Sequence, residues 1–326
     1  MRLYGSTISR SFVLLLLGAM LLSGCSGKDN GKGVSQEEAD GLTLVGRDAI
    51  SVRWSPDGSK LAVVTTAGYL AIYEAKDDTY LFARYADRRT GFIGSRSLAW
   101  GADGNTVYYY DRPIDGKTNE PAPLEYGSLL MSANSNTASV TNVHPQFIES
   151  VGSVDATPDG KLLYINMYER KKYSLVTFQL QEGLHRDLTK ELGVDPAGDS
   201  RLSRDGKLLF VNNRLSQDDR CEGVIIELSS GRKRIVSDRY LGGVSFSPDG
   251  RWLAYVGTDH TVFVISTDKQ AEAVAIAQPE LGVAALDWSP QGDRLALTTQ
   301  AAAGGHPARL LLMEVPPQYR PAEAAQ

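Results

Sequence analysis

An all-β fold of six radially arranged sheets is predicted by three observations: a short turn repeated six times, a near-constant spacing between its copies, and strand-forming sequence on both sides of each. The copies read Trp54-Ser-Pro-Asp-Gly58, Trp100-Gly-Ala-Asp-Gly104, Ala156-Thr-Pro-Asp-Gly160, Leu202-Ser-Arg-Asp-Gly206, Phe246-Ser-Pro-Asp-Gly250 and Trp288-Ser-Pro-Gln-Gly292. Their glycines lie 46, 56, 46, 44 and 42 residues apart. Such a period belongs to stacked or radial repeats.

Each copy encodes a tight hairpin. Proline presets the backbone for the second turn position and Asp suits the third. Gly58, Gly104, Gly160, Gly206, Gly250 and Gly292 supply the left-handed conformation that returns the chain to register. The flanks are apolar and rich in strand formers, as in Ile50-Ser-Val-Arg-Trp54 and Leu61-Ala-Val-Val-Thr65. In the fifth unit, Val244 to Phe246, Trp252 to Val256, Thr261 to Ile265 and Ala271 to Ile276 read as four short strands. A four-stranded sheet of about 45 residues is the blade of a β-propeller.

Ser247-Pro-Asp-Gly-Arg-Trp-Leu-Ala-Tyr255 and Thr157-Pro-Asp-Gly-Lys-Leu-Leu-Tyr164 carry a further resemblance. They resemble the TolB-like family of WD-type propeller repeats, whose signature is a Ser-Pro-Asp-Gly-Lys hairpin followed by an aliphatic and aromatic strand. The resemblance covers roughly residues 42 to 315. Ala102, Arg204 and Gln291 depart from the signature, yet each of those turns keeps its glycine.

A ring of blades must close, because open end sheets would expose unpaired edges. The sixth unit offers only Val283 to Trp288, Arg294 to Thr298 and Arg309 to Val315 before Pro316-Pro317. Leu42-Thr-Leu-Val-Gly46 has no other partner and is expected as the outer strand of the last blade. The propeller is thus expected over 42 to 316, followed by a short disordered tail over 317 to 326.

The first forty residues indicate export. Arg2 and Arg10 precede the apolar run Phe12 to Leu22, then Leu22-Ser-Gly-Cys25, which is the layout of a secretory signal over residues 1 to 24. The run is too short for a spanning helix, which needs about 20 residues. Leu-Ser-Gly-Cys resembles the lipobox of bacterial lipoproteins, and this resemblance implies cleavage before Cys25 and its acylation, palmitate included. Multiple acyl chains anchor stably where one binds marginally. Ser26 is not Asp, so in a Gram-negative cell the pattern implies the outer membrane, facing the periplasm.

Losing Arg2 and Arg10 would move the formal charge from −5 to −7, and nothing in that balance points to nucleic acid as a partner. Residues 25 to 41 are nearly devoid of apolar side chains and read as a flexible tether with an average reach of about 22 Å. With Cys25 acylated, Cys221 has no partner for a disulfide and reads as a buried, inert thiol at the start of a strand.

Alternating strand direction puts all six Asp-Gly turns on one face of the disc. The longer segments Tyr85 to Phe92, Asp111 to Glu125, Tyr168 to Tyr173, Thr189 to Ser200, Asn212 to Glu222 and Thr299 to Ala308 fall on the other. Variable loops on a rigid scaffold are where binding usually resides. That face carries Arg88, Arg89, Arg112, Lys117, Arg170, Lys171 and Lys172, a basic set suited to an acidic partner. Asp218, Asp219 and Glu120 share the face and dilute its charge. Residues 111 to 125 form a Pro-rich insertion that accounts for the one long repeat spacing.

Trp54, Trp100, Trp288 and Phe246 stand at the ends of innermost strands, where packing between blades explains them better than a ligand channel. The turn carboxylates Asp57, Asp103, Asp159, Asp205 and Asp249 are expected to bond nearby backbone amides. The Gly-x-Ser-x-Gly nucleophile signature is absent. Of the four histidines, His144, His185, His260 and His306, no two stand at a metal-ligand spacing. No cofactor or metal is therefore expected. A second reading keeps an enzyme open: His144, His260 and His306 are expected in loops on the variable face, where a lyase or lactonase-like metal site could be assembled from different blades.

The sequence thus predicts a lipid-anchored, non-catalytic propeller at the cell envelope. The family resemblance implies protein partners such as envelope assembly or integrity factors. TolB itself resembles a soluble periplasmic protein with an additional domain, where this chain has a tether. The alternative is a propeller that binds or cleaves a glycan at the mouth of its channel.

Overall fold

The computed structural model describes residues 41–88, 98–111, 127–148, 150–183, 185–215, 220–268, 271–279, 281–300 and 307–322. The signal segment, the tether up to residue 40, and residues 112–125 of the insertion lie outside these.

Twenty-four strands form six four-stranded antiparallel sheets. Blade 1 is β2 (Ala49–Trp54), β3 (Lys60–Thr65), β4 (Leu70–Lys76) and β5 (Thr79–Asp87). Blade 2 is β6 (Leu98–Trp100), β7 (Thr106–Asp111), β8 (Ser128–Asn134) and β9 (Val140–Ile148). Blade 3 is β10 (Ser150–Ala156), β11 (Leu162–Glu169), β12 (Lys172–Gln179) and β13 (His185–Asp187). Blade 4 is β14 (Pro196–Leu202), β15 (Leu208–Arg214), β16 (Cys221–Glu227) and β17 (Lys233–Ser237). Blade 5 is β18 (Gly242–Phe246), β19 (Trp252–Val256), β20 (Val262–Ser266) and β21 (Val274–Ala277). Blade 6 is β22 (Val283–Trp288), β23 (Arg294–Thr299) and β24 (Arg309–Glu314), completed by β1 (Leu42–Arg47). Each innermost strand touches the next, and β22 touches β2, so the ring closes.

The expected N-terminal strand closes the last blade. β1 runs antiparallel to β24, with Leu42 opposite Met313 and Arg47 opposite Arg309. Its Leu44 and Val45 are buried, in different clusters: Leu44 packs with blades 5 and 6, Val45 with blades 6 and 1.

The repeated turn folds as its chemistry requires. All six glycines are left-handed, with φ between 65° and 80°. In blade 1, Ser55 Oγ donates to Asp57 Oδ1 at 2.6 Å and accepts Lys60 N at 2.9 Å, while Ser59 N donates to Asp57. Ser203 and Ser247 repeat the arrangement with Asp205 and Asp249. The serine is a buried internal cap, which explains its presence before the proline. The turn aspartates bond local amides, as in Asn105 N to Asp103 and Lys161 N to Asp159.

The core is distributed between blades in six clusters. The anchor residue before each turn packs against the preceding blade: Trp54 against blade 6, Trp100 against blade 1, Phe246 against blade 4 and Trp288 against blade 5. Two indoles also fasten the inner strands. Trp54 Nε1 donates to Asp287 O at 3.2 Å, and Trp100 Nε1 to Arg53 O at 3.0 Å.

Between blades 3 and 4 the inner strands nearly touch at bulges in β10 and β14. A Cβ on Gly152 would lie 2.1 Å from Gly198 O. Since that neighbour is backbone and cannot rotate aside, Gly152→Ala is expected to destabilise the protein by about 1–3 kcal/mol. Thermal unfolding checks this, and an unchanged midpoint would contradict the close approach.

Three expectations are corrected. The chain past Pro316 is not disordered at once: Pro317–Tyr319 forms a 3₁₀ turn, and Tyr319 is buried edge-on against Trp252 with ring centroids 5.0 Å apart. Cys221 opens β16 as expected but is half-buried, not buried. Tyr168 and Tyr173 do not bound a long loop; they pair across β11 and β12, whose ends Glu169 and Lys172 are joined by a two-residue turn.

Candidate functional site

The residue immediately before each blade's anchor faces the shared axis. These six are Arg53, Ala99, Asp155, Arg201, Ser245 and Asp287, one per blade. They line a cavity of about 250 Å3 at the tight-turn end of the channel. The short turns therefore leave room for a site on their own face of the disc.

The polar members form a closed set of ion pairs. Arg201 spans the axis from blade 4, its Nη1 2.9 Å from Asp155 Oδ1 and its Nη2 hydrogen-bonded to Asp287 Oδ1. Arg53 Nη1 lies 3.5 Å from the same Asp287 oxygen. Ser245 Oγ donates to Asp287 Oδ1 at 3.0 Å, and Trp54 N to Asp287 Oδ2 at 2.8 Å. Leu202 N donates to Asp155 Oδ2 at 3.1 Å, Trp288 N to Ser245 Oγ at 3.0 Å, and Arg53 Nε to Leu98 O at 3.1 Å. Inner strands of adjacent blades share no ladder, and these side chains supply the missing cross-links.

Burial and charge set the proton affinities. Burial pushes the Asp155 carboxyl up, with Arg201 and Arg53 only partly offsetting it. Burial also acts to raise Asp287, but Arg201, Arg53 and Arg204 together hold it below its ordinary value. Burial, then repulsion from Arg201, pushes Arg53 down to about 10. Asp287 is thus a poor base, and the Ser245 hydroxyl is committed to Asp287 and Trp288.

Arg204 completes the mouth. It occupies the turn position held by Pro56, Pro158, Pro248 and Pro290 in other blades, and its Nη2 donates to Trp288 O across the opening at 2.8 Å. A smaller cavity of about 30 Å3 deeper in the channel is lined by Ser51, Ser153, Asp199 and Ser200.

The basic set expected on the opposite face is described in part. Arg88 is exposed, with its guanidinium 4.9 Å from the centre of the Tyr85 ring and 5.6 Å from that of Tyr69. Arg170 and Lys171 form the β11–β12 turn at φ 49° and 65°, and Arg170, Lys171 and Lys172 are all exposed. Arg89, Arg112 and Lys117 lie outside the described residues. Arg88 and the Arg170–Lys172 turn belong to blades two apart and form no single contact cluster.

The three-histidine reading is corrected in one respect. His144 is not in a loop: it lies within β9, opposite Leu130. His260 sits in the β19–β20 turn of blade 5, its Nδ1 3.3 Å from Val283 O, and lines a surface cavity with Asp259 and Gly282. His306 lies outside the described residues. Among the described residues no group of three His, Cys, Asp or Glu side chains is arranged to hold a metal ion.

The axial set was not singled out from sequence, although a signal existed. Charged residues recur at one fixed offset inside otherwise apolar strands, in Ser-Val-Arg53-Trp, Ser-Val-Asp155-Ala, Asp-Ser-Arg201-Leu and Ala-Leu-Asp287-Trp.

Fold and site together define a six-bladed β-propeller whose axis is bridged by ion pairs. The family description "WD domain, G-beta repeat" matches residues 237–266, which span the fifth repeat's hairpin. Among solved structures, TolB from Acinetobacter baumannii superposes with a TM-score of 0.54 at 18% identity, covering 68% of this chain and 52% of that one. Putative TolB from Agrobacterium tumefaciens gives 0.55 at 20% identity, covering 71% and 80%. The β-propeller domain of Cps50 (Swd1) from Myceliophteria thermophila gives 0.56 at 16%, covering 84% and 100%. The chain spans about half the length of the Acinetobacter protein. The sequence matches no curated protein. In fold the chain is a TolB-like, WD-type propeller.

Proposed function

We propose that this protein is a lipid-anchored, non-catalytic scaffold of the cell envelope that captures protein partners on its variable-loop face. The observation that carries the reading is the way that face presents charge. Arg88 is held over two tyrosine rings, and the Arg170–Lys171 turn keeps two cationic side chains exposed on backbone in the left-handed region. Arg88, preordered by those rings, loses less freedom on meeting an acidic surface than a mobile cation does. The axial groups support the non-catalytic part, because their carboxylates and hydroxyl are already committed to one another. The same commitment weighs against the glycan alternative, since sugar hydroxyls need acceptors that are not already taken.

Anchoring through Cys25, placement at the outer membrane, and the role of Arg89, Arg112 and Lys117 rest on the sequence pattern. Propeller and TolB-type fold are consistent with them. Crosslinking in intact cells followed by affinity capture tests the whole reading. The variant with Arg88, Arg89, Lys171 and Lys172 changed to Glu is expected to lose its crosslinked proteins while keeping its unfolding midpoint. Cys25→Ser is expected to leave the membrane fraction. Full retention of capture by the charge-reversed protein would refute the assigned face.

A further inference from the structure

We propose that the mouth of the axial cavity on the tight-turn face binds a small ligand bearing an oxyanion, carboxylate or phosphate, with Arg204 as its main contact. This site lies on the face opposite the proposed protein-binding surface and is independent of it.

Charge at the mouth is unbalanced. Arg53, Arg201 and Arg204 line the cavity against only Asp155 and Asp287, leaving one excess positive charge. The third axial carboxylate, Asp199, belongs to the smaller cavity deeper in the channel. The two carboxylates at the mouth are already used. Asp287 Oδ1 takes Arg201, Arg53 and Ser245, its Oδ2 takes Trp54 N, and Asp155 is held by Arg201 and Leu202 N. Arg53 and Arg201 therefore have carboxylate partners, whereas Arg204 has none within salt-bridge distance among the described residues.

Arg204 instead donates one hydrogen bond to a neutral carbonyl, Trp288 O. A guanidinium has five N–H donors in a planar fork that matches the two oxygens of a carboxylate or phosphate. Half-buried as a residue, Arg204 lines the cavity with only one hydrogen bond to its fork. An oxyanion would replace a neutral acceptor with a charged one, and charge-assisted bonds are about twice as strong. Burial pushes the proton affinity of this group down, Asp287 only partly offsets it, and Arg201 adds to the fall.

The cavity limits the ligand. At about 250 Å3 it holds several waters, each needing about 30 Å3, or one compact molecule. Pro56, Trp100, Pro158 and Phe246 give it an apolar wall beside the guanidinium. The fit is an oxyanion on a short body, such as a small dicarboxylic acid or a small phosphate ester. Arg204 departs from the repeat, where four of six turns have proline, so local turn chemistry does not require it.

Isothermal titration calorimetry with succinate and, separately, with inorganic phosphate tests the site on the full propeller. The wild type is expected to bind at least one probe saturably. Binding of succinate alone assigns a carboxylate ligand, and of phosphate alone a phosphate ligand. Arg204→Pro installs the residue used by the other turns and so keeps the fold, and it is expected to weaken binding about tenfold or more. Arg204→Lys, which keeps charge but not the fork, is expected to fall between. The proposal is overturned if the wild type shows no saturable binding of either probe up to about 10 mM. It is equally overturned if Arg204→Pro binds undiminished, which would leave Arg204 a brace between blades 4 and 6 and nothing more.

Discussion

Removing Leu42–Arg47 is expected to abolish cooperative folding of the whole disc. The segment is only six residues, yet it completes blade 6 from the other end of the chain. Its loss would remove the buried side chains of Leu44 and Val45, each contributing about 1.5–3 kcal/mol through burial, and uncover the apolar residues they pack against. It would also unpair the backbone of β24 opposite those residues, at about 1 kcal/mol net per hydrogen bond. Together these approach 5–10 kcal/mol, comparable with the full stability of a typical protein. The outer edge of β24, with Leu310, Leu311 and Leu312, would then be open to pairing with other chains. Denaturant unfolding followed by circular dichroism, with light scattering for aggregation, measures both consequences. A truncated protein that unfolds at the wild-type midpoint would show that the ring does not depend on this closure.

The closing strand was legible because a polar stretch precedes it and blade 6 visibly lacks a fourth strand. The turns were legible for a different reason: Pro, Asp and Gly each satisfy a separate backbone demand, so their order admits few structures. Less was legible where a residue's meaning depends on blades distant in sequence. Nothing near Asp287 reveals that its partners are Trp54 and Arg201, 233 and 86 residues away. His144, expected in a loop, stands beside Pro145, a residue that argues against a strand. In the structure β9 is the outermost strand of its blade, and its ladder is interrupted between the Ser128 and Leu130 pairings, where a proline is tolerated. Tyr319 looked like tail because a single aromatic among prolines gives no periodicity. Its burial depends on Trp252, a residue of the neighbouring blade. The candidate partner face remains the least determined by sequence, because exposed charge in loops satisfies no internal demand that would reveal its purpose.

Replacing Asp287 by Ala is expected to cost about 3–5 kcal/mol, far more than loss of an exposed ion pair. The carboxylate is only 2% exposed and meets groups from three other blades: Trp54 and Arg53 of blade 1, Arg201 of blade 4 and Ser245 of blade 5. Its removal would leave three guanidiniums facing one another with Asp155 as the nearest remaining carboxylate. The melting temperature is expected to fall by on the order of 10 °C. If the cost comes from stranded positive charge, then adding Arg201→Met should restore part of the loss, a coupling read from the double-mutant cycle. The pH dependence carries an independent signature. Asp287 is held below 3.8 in the folded protein, so its contribution is present above that value and disappears as pH falls through the folded pKa. Asp57, Asp103 and Asp205 act in the same direction, their turn hydrogen bonds outweighing burial. Asp155 acts oppositely, because burial raises it and the folded state holds its proton more tightly. Wild-type stability should therefore drop steeply in acid, and Asp287→Ala should show a shallower acid limb from a lower plateau. Parallel limbs for the two proteins would mean that Asp287 is not charged in the folded state, and the ion-paired axis would have to be abandoned.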